Sequence, residues 1–203
     1  MRVFVKICGL HTAAAVEAAV NAGADALGFV FADSPRQITS AAALALTRDL
    51  PPGILTVAVM RHPSKADLAE VLEVFGPDWL QTDADDFDAV ALPAETRPLP
   101  VYRDTAALNM AAAGRERLVL FEGAESGHGQ LANWGRARTL AGMTRLILAG
   151  GLNPDNVADA IRAVRPYGVD VSSGVERERG VKDPAKISAF VRAVREVEDV
   201  NAN

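Results

Sequence analysis

The single cysteine of this 203-residue chain, Cys8, stands in the run VKICGL, between β-branched residues and a glycine. A free thiol is often buried core filler. One that loses its proton below the ordinary value of ~8.5 is partly thiolate at neutral pH and can act as a general base. Glu122 closes a second apolar run, LVLFEG, where an apolar wall that raised its pKa would make it a complementary acid. Asp170 sits in a third run, YGVDV, whose last residue Val171 precedes a Ser-Ser-Gly turn. The glycines point to an anion: LAGGLNP and DVSSGVE place Gly150, Gly151, Ser173 and Gly174 where small residues let backbone N–H groups approach a phosphate. Turn glycines without a ligand are the plain alternative. A base and an acid facing one another across a phosphosugar suit proton transfer, such as an isomerisation.

These residues can cooperate only if the fold gathers them. Short β-branched runs alternate with helical patterns from end to end, which predicts βα units and a parallel sheet rather than hairpins. Strands are expected over Val3 to Cys8, Ala26 to Val30, Leu55 to Met60, Trp79 to Thr82, Pro100 to Arg103, Leu118 to Glu122, Arg145 to Ala149 and Val169 to Ser172. Most are near-continuous apolar runs, as strands covered on both faces require. Helices are expected over Thr12 to Ala22, Ser40 to Asp49, Ser64 to Phe75, Asp83 to Val90, Thr105 to Ala113, Asn133 to Ala141, Pro154 to Val164 and Pro184 to Val197. Ser40, Ser64 and Asn153 suit N-caps, and Pro154 and Pro184 suit a first helical turn. Eight such units predict one compact α/β domain over residues 1–203, a (β/α)8 TIM barrel. An open doubly wound sheet is the competing fold, but no GxGxxG follows the first strand. In a barrel the C-terminal strand ends share one mouth, and Cys8, Glu122, Gly150, Gly151 and the stretch 170–174 would meet there.

Composition narrows the partners. The 21 basic and 26 acidic side chains are intermixed, with a net charge of −5, and the aromatic residues are not interleaved with basic ones, so nucleic acid is not an expected partner. No apolar stretch reaches the ~18 residues of a membrane span, and Lys6 breaks the apolar opening, so no membrane association and a cytoplasmic location are expected. One cysteine excludes an internal disulfide and a CxxC pair, while His11, His62 and His128 fit no ligand spacing, so no metal is expected.

Four blocks together carry a resemblance: VKICG at 5–9, AGADALGFVFADSPR at 22–36, LAGGLNPDNV at 148–157 and YGVDVSSGVERERGVKDPAKI at 167–187. In these the chain resembles the phosphoribosylanthranilate isomerases of tryptophan biosynthesis. The resemblance implies a barrel of the ribulose-phosphate-binding type. It also implies a cofactor-free Amadori rearrangement of N-(5'-phosphoribosyl)anthranilate to the 1-(2-carboxyphenylamino)-1-deoxyribulose phosphate, by a monomer or homodimer. It further implies that Cys8 is the general base acting at C2' of the ring-opened Schiff base. Arg36, in the SPR element, would hold the anthranilate carboxylate, for which a guanidinium can donate two parallel hydrogen bonds. Gly150, Gly151, Ser173 and Gly174 would bind phosphate, and Asp170 would support the thiol and the substrate nitrogen.

The middle of the chain departs from the family pattern. Glu122 stands where the family has an aspartate as general acid, one methylene shorter. Gly127-His128-Gly129 replaces a glycine-rich element, and Ala132-Asn133-Trp134 keeps only the tryptophan of Phe-Asp-Trp. Gln81-Thr82-Asp83-Ala84 replaces Gln-Leu-His-Gly, which leaves Gln81 and Asp83 as substrate-contact candidates; Asp83 could also be a helix cap or a substitute acid. Met60-Arg61-His62 replaces a Phe-Val-Asn type of sequence. Three readings accommodate these changes: an isomerase repacked around a longer acid, a paralogue acting on another phosphorylated aminosugar, and a non-catalytic phospho-ligand binder.

Overall fold

The computed structural model describes residues 2–124 and 132–200. Eight parallel strands close into a barrel in chain order: β1 (Phe4–Cys8), β2 (Ala26–Val30), β3 (Leu55–Val59), β4 (Trp79–Asp83), β5 (Arg97–Arg103), β6 (Leu118–Glu122), β7 (Arg145–Leu148) and β8 (Gly168–Val171). Closure is made by β1 against β8, which sets Lys6 beside Asp170. The helices are α1 (Ala13–Ala22), α2 (Ser40–Thr47), α3 (Lys65–Glu70), α4 (Met110–Ala113), α5 (Trp134–Ala141), α6 (Val157–Val164) and α7 (Pro184–Val200). A small antiparallel pair, β9 (Glu176–Glu178) and β10 (Val181–Lys182), follows β8 and lies outside the expected pattern.

Strand alternation sorts the side chains into two cores. One lies between strands and helices, with Val5, Ile7, Leu27, Phe29, Phe121 and Phe190 among its buried members. The other fills the barrel with Ala26, Val57, Trp79, Leu99, Val101, Leu120 and Ile147. Its N-terminal end is closed by aromatic rings, Phe4 stacking on Trp79 at 5.4 Å and on Tyr167 at 5.6 Å. The same inward rows continue upward as polar residues, which is how Cys8, Gln81, Asp83, Arg103, Glu122 and Asp170 come to face one mouth.

Several elements differ from the sequence reading. The expected helix over Asp83 to Val90 is a 3-10 turn, Ala84–Asp88. Its Asp86 carboxylate accepts from the Thr82 hydroxyl and from the His62 backbone N–H, and such local bonds compete with helix. Asp83 makes no capping hydrogen bond there. The helix expected over Thr105 to Ala113 shrinks to Met110–Ala113, and that expected over Ser64 to Phe75 passes from α into a π-turn at Val71–Phe75. Thr39 rather than Ser40 caps α2, whereas Ser64 caps α3 as expected. Asn153 accepts from the N–H groups of Asp155 and Asn156, so Pro154 begins a turn and α6 starts only at Val157. Strand β5 starts three residues early, at Arg97, despite Pro98 and Pro100. Arg97 donates to Asp78 on the β4 side, while pairing with β6 begins at Val101, so the two missing N–H groups precede that ladder. Among the described residues no helix is long and apolar enough to cross a membrane.

Candidate active site

The C-terminal mouth holds a cavity of about 210 Å³ bordered by Cys8, Arg36, Gln81, Arg103, Glu122 and Asp170. Beside it, a niche of about 50 Å³ is lined by Gly150, Gly151, Ser173, Glu122 and Asp170. The two share a wall, so an elongated ligand could reach from one into the other. A larger cavity of about 520 Å³ at the opposite barrel end is floored by Phe4, Trp79 and Tyr167. That end carries no thiol and belongs to the face that stabilises such barrels rather than the face that does chemistry.

Cys8 ends β1 and is only 6% exposed. Two residues earlier on the same inward row, the Lys6 ammonium is fully buried and donates to Asp170 Oδ1 at 2.7 Å. Burial pushes the Cys8 thiol up; Lys6 and Lys182 pull it down and Asp170 pushes it further up, with a net rise. This differs from the lowered thiol that the sequence reading invokes, because the strand end lies deeper in the barrel than its neighbouring glycine implies. Burial opposes the Lys6 charge, yet Asp170 and Cys8 outweigh it and hold Lys6 above the ordinary lysine value.

Arg36 is drawn across the β1 end because Gly9 leaves room: a Cβ on Gly9, at φ 75°, would lie 2.6 Å from Arg36 Cδ. Its Nε and Nη2 donate to Glu176 Oε1 at 2.7 Å and Oε2 at 3.0 Å. Glu176 also accepts from Lys182 Nζ at 2.8 Å and from the Gly180 N–H at 3.0 Å. Burial works against the Glu176 charge, but these donors win and hold its pKa at about 2. The hydrogen bonds from Arg36 to this carboxylate in turn hold the guanidinium above its ordinary value. Lys182 is lowered by burial, with Glu176 opposing, and also donates to the Ser172 carbonyl at 2.8 Å.

Across the cavity, Arg103 Nε lies 3.3 Å from Glu122 Oε1, and its Nη1 pairs with Asp83. Gln81 is 7% exposed and its Oε1 is a buried acceptor with no protein partner among the described residues. His62, at φ 47°, places Nε2 3.3 Å from Asp83 and Nδ1 2.9 Å from Asp86. His62, Asp83 and Asp86 thus gather ligand-type atoms within 4.8 Å, a proximity that sequence spacing does not reveal. Arg103 and the imidazole already face those two carboxylates. His128 and the rest of 125–131 lie outside the described residues.

In the glycine niche, Gly150 and Gly151 have φ of 84° and 64°, which side chains other than glycine rarely adopt. Asn156 Nδ2 ties down the Gly151 carbonyl at 2.9 Å. Gly174 packs against the neighbouring loop so closely that a Cβ would meet the Leu152 carbonyl oxygen at 1.9 Å. Of the residues expected at the site from sequence, all but Gly174 line the cavity or the niche, and Gly174 packs behind the niche against Leu152. Sequence reasoning missed Lys6, Arg103, Glu176 and Lys182. Lys6 lies inside VKICG, while Glu176 and Lys182 lie inside SSGVERERGVK, so the signal was their place in those blocks.

Titratable side chains from β1, β4, β5, β6 and β8, set beside a glycine-lined anion niche, define a (β/α)8-barrel enzyme with a phosphosugar-sized site. The model of the N-(5'-phosphoribosyl)anthranilate (PRA) isomerase family matches residues 5–193. The N-(5'-phosphoribosyl)anthranilate isomerase of Pseudomonas fluorescens is 42% identical over 200 residues, which cover 94% of this chain and 97% of the relative. A crystal structure of a phosphoribosyl anthranilate isomerase in complex with reduced 1-(o-carboxyphenylamino)-1-deoxyribulose 5-phosphate superposes with a TM-score of 0.82 at 30% identity, covering 96% of this chain and 99% of that one. A crystal structure of monomers generated from the dimeric phosphoribosylanthranilate isomerase of Thermotoga maritima gives a TM-score of 0.81 at 28% identity, covering 96% of this chain and 99% of that one. The chain belongs to the phosphoribosylanthranilate isomerase family.

Proposed function

We propose that this chain converts N-(5'-phosphoribosyl)anthranilate to 1-(2-carboxyphenylamino)-1-deoxyribulose 5-phosphate without a cofactor. The observation that carries the proposal is one mouth where Cys8 on β1 and Glu122 on β6 border the same cavity, with Arg36 and the Gly150/Gly151 niche beside them. The phosphate takes backbone N–H groups of Gly150, Gly151, Ser173 and Gly174. The anthranilate carboxylate meets the Nη1 side of Arg36, since Nε and Nη2 serve Glu176. Gln81 and Asp83 border the substrate, and the buried Gln81 Oε1 accepts a ligand N–H or O–H.

Glu122 gives a proton to the ring oxygen as the C1'–O bond breaks and the anilino nitrogen becomes an iminium. The Cys8 thiolate takes the C2' proton, and that electron pair neutralises the iminium to an enolamine. The enol proton then leaves O2' as C1' gains one, which yields the ketone. Asp170 stands beside the thiol and the nitrogen, held in place by Lys6. The extra methylene of Glu122 is accommodated by the Arg103 guanidinium, which grips its Oε1. The same reading has the enzyme working in the cytoplasm as a monomer or homodimer on this small phosphosugar, without nucleic acid or membrane as partner.

The test is loss of anthranilate-type fluorescence on incubation with N-(5'-phosphoribosyl)anthranilate, together with rescue of a tryptophan auxotroph lacking this step. Turnover of a different phosphorylated aminosugar, with none of this one, would overturn the reading. So would tight binding of the reduced product analogue without turnover.

A further inference from the structure

Lys6 has no exposed surface and does not border the ligand cavity. Its Nζ lies under the base, donating to Asp170 at 2.7 Å. A Cβ built on Gly28, the β2 neighbour of Cys8, would sit 3.0 Å from Cys8 Sγ and 3.2 Å from Lys6 Nζ. Thiol and ammonium therefore share one glycine-shaped recess, and glycine at 28 is what allows their approach. A buried cation is expensive unless anions face it, and here the Asp170 carboxylate faces Lys6 on one side while Cys8 offers a second anion only when it is ionised.

We infer that Lys6 is the positioning residue for the Cys8 base: its buried ammonium, anchored by Asp170, is the counter-charge that makes the thiolate attainable in a dry recess. This rests on the reading of Cys8 as base, but it predicts a property of the thiol that can be measured without substrate. The groups facing Cys8 are Lys6 on its own strand, Asp170 on β8, Lys182 on β10 and Arg36 after β2; Glu176 lies behind the last two, and Asp83, Arg103 and Glu122 lie across the cavity. Of these, Lys6 and Asp170 act on the thiol with opposite sign. A scaffold role for the pair does not share that property, because loss of either partner would then disturb the site in the same direction.

Cys8 is the sole cysteine, so the rate of iodoacetamide alkylation against pH reports its ionisation alone. Lys6→Met should move the alkylation midpoint alkaline by about one unit or more and slow modification near neutral pH by roughly tenfold. Asp170→Asn should move it acid. If Lys6→Met yields too little folded protein because Asp170 is stranded, the comparison is made without that charge: Lys6→Met/Asp170→Asn must titrate alkaline of Asp170→Asn. A midpoint unchanged by removing Lys6 in either background, or alkaline movement in Asp170→Asn, overturns the inference. Wild-type turnover of N-(5'-phosphoribosyl)anthranilate is measured in parallel. Shifted midpoints without wild-type turnover would sink the proposed function and leave the Lys6 inference standing; turnover with unmoved midpoints would do the reverse.

Discussion

Arg36 and Glu176, 140 residues apart, meet through two hydrogen bonds of 2.7 and 3.0 Å, in an ion pair almost entirely shielded from solvent. The pair fixes the guanidinium plane before any ligand arrives, which is the pre-organisation a planar carboxylate needs. Arg36→Met should weaken anthranilate-bearing ligands by roughly 10- to 100-fold while phosphosugars lacking the anthranilate ring bind almost as before. Equal loss for both ligand classes, measured by calorimetric titration, would count against the carboxylate role.

Glu176 also makes an acid-stability prediction. Its folded pKa of about 2 lies below the ordinary 4.5, so its stabilisation is fully present above about pH 4.5 and is lost as pH falls through about 2. The contribution is on the order of 3 kcal/mol at neutral pH. Urea unfolding of wild type and Glu176→Gln should therefore differ most at neutral pH, with the gap narrowing below about pH 4.5 and closing only below about pH 2. A gap that stays constant with pH would show that Glu176 matters for shape rather than charge.

Cys8→Ser should lower kcat by ~100-fold or more with little change in affinity for the reduced product analogue, since a hydroxyl is rarely ionised. Because the thiol is pushed above its ordinary value, kcat/KM of the wild type should climb with pH through the alkaline range. A profile that is flat between about pH 6 and 9 is incompatible with that base.

Glu122→Gln should remove most turnover, by ~100-fold or more. Glu122→Asp should fall below wild type as well, because the shorter arm must leave either Arg103 or the substrate. Asp83→Asn, which borders the substrate and pairs with Arg103 but is not the proposed proton donor, should cost less than about tenfold. If Glu122→Gln keeps full activity and Asp83→Asn loses it, the proton donor is Asp83.

Gly174→Ala forces a methyl group into the Leu152 carbonyl, so one of the two phosphate loops must move. KM for the phosphosugar should rise by at least ~10-fold and Tm should fall by several degrees, an overpacking cost of about 1–3 kcal/mol. Unchanged KM with a lowered Tm would confine Gly174 to packing.

Much of this architecture is legible in the linear chain. Parallel strands buried on both faces are continuous apolar runs, so all eight barrel strands could be placed and the barrel followed from their number and alternation. Glycines at tight turns are equally local, and Gly150 and Gly151 do hold positive φ where LAGG suggests it. The acidic stretch after β4 was misread because helical propensity does not foresee that Asp86 will bind back to Thr82 and His62.

What only the tertiary structure decided are the partnerships of charge. Lys6 reads in sequence as a polar break in an apolar run; closure of β1 on β8 turns it into a buried ammonium between Asp170 and the thiol. Glu176 and Lys182 stand in sequence only as unassigned members of the block at 167–187, yet the short β9–β10 pair folds them over Arg36. Arg103 acquires meaning only when β4, β5 and β6 stand side by side, with Asp83 and Glu122 flanking it. Residue types and local periodicity specify each βα unit. Which titratable groups become neighbours depends on strand register around a closed barrel, and their pKa values follow from burial and distances that exist only after closure.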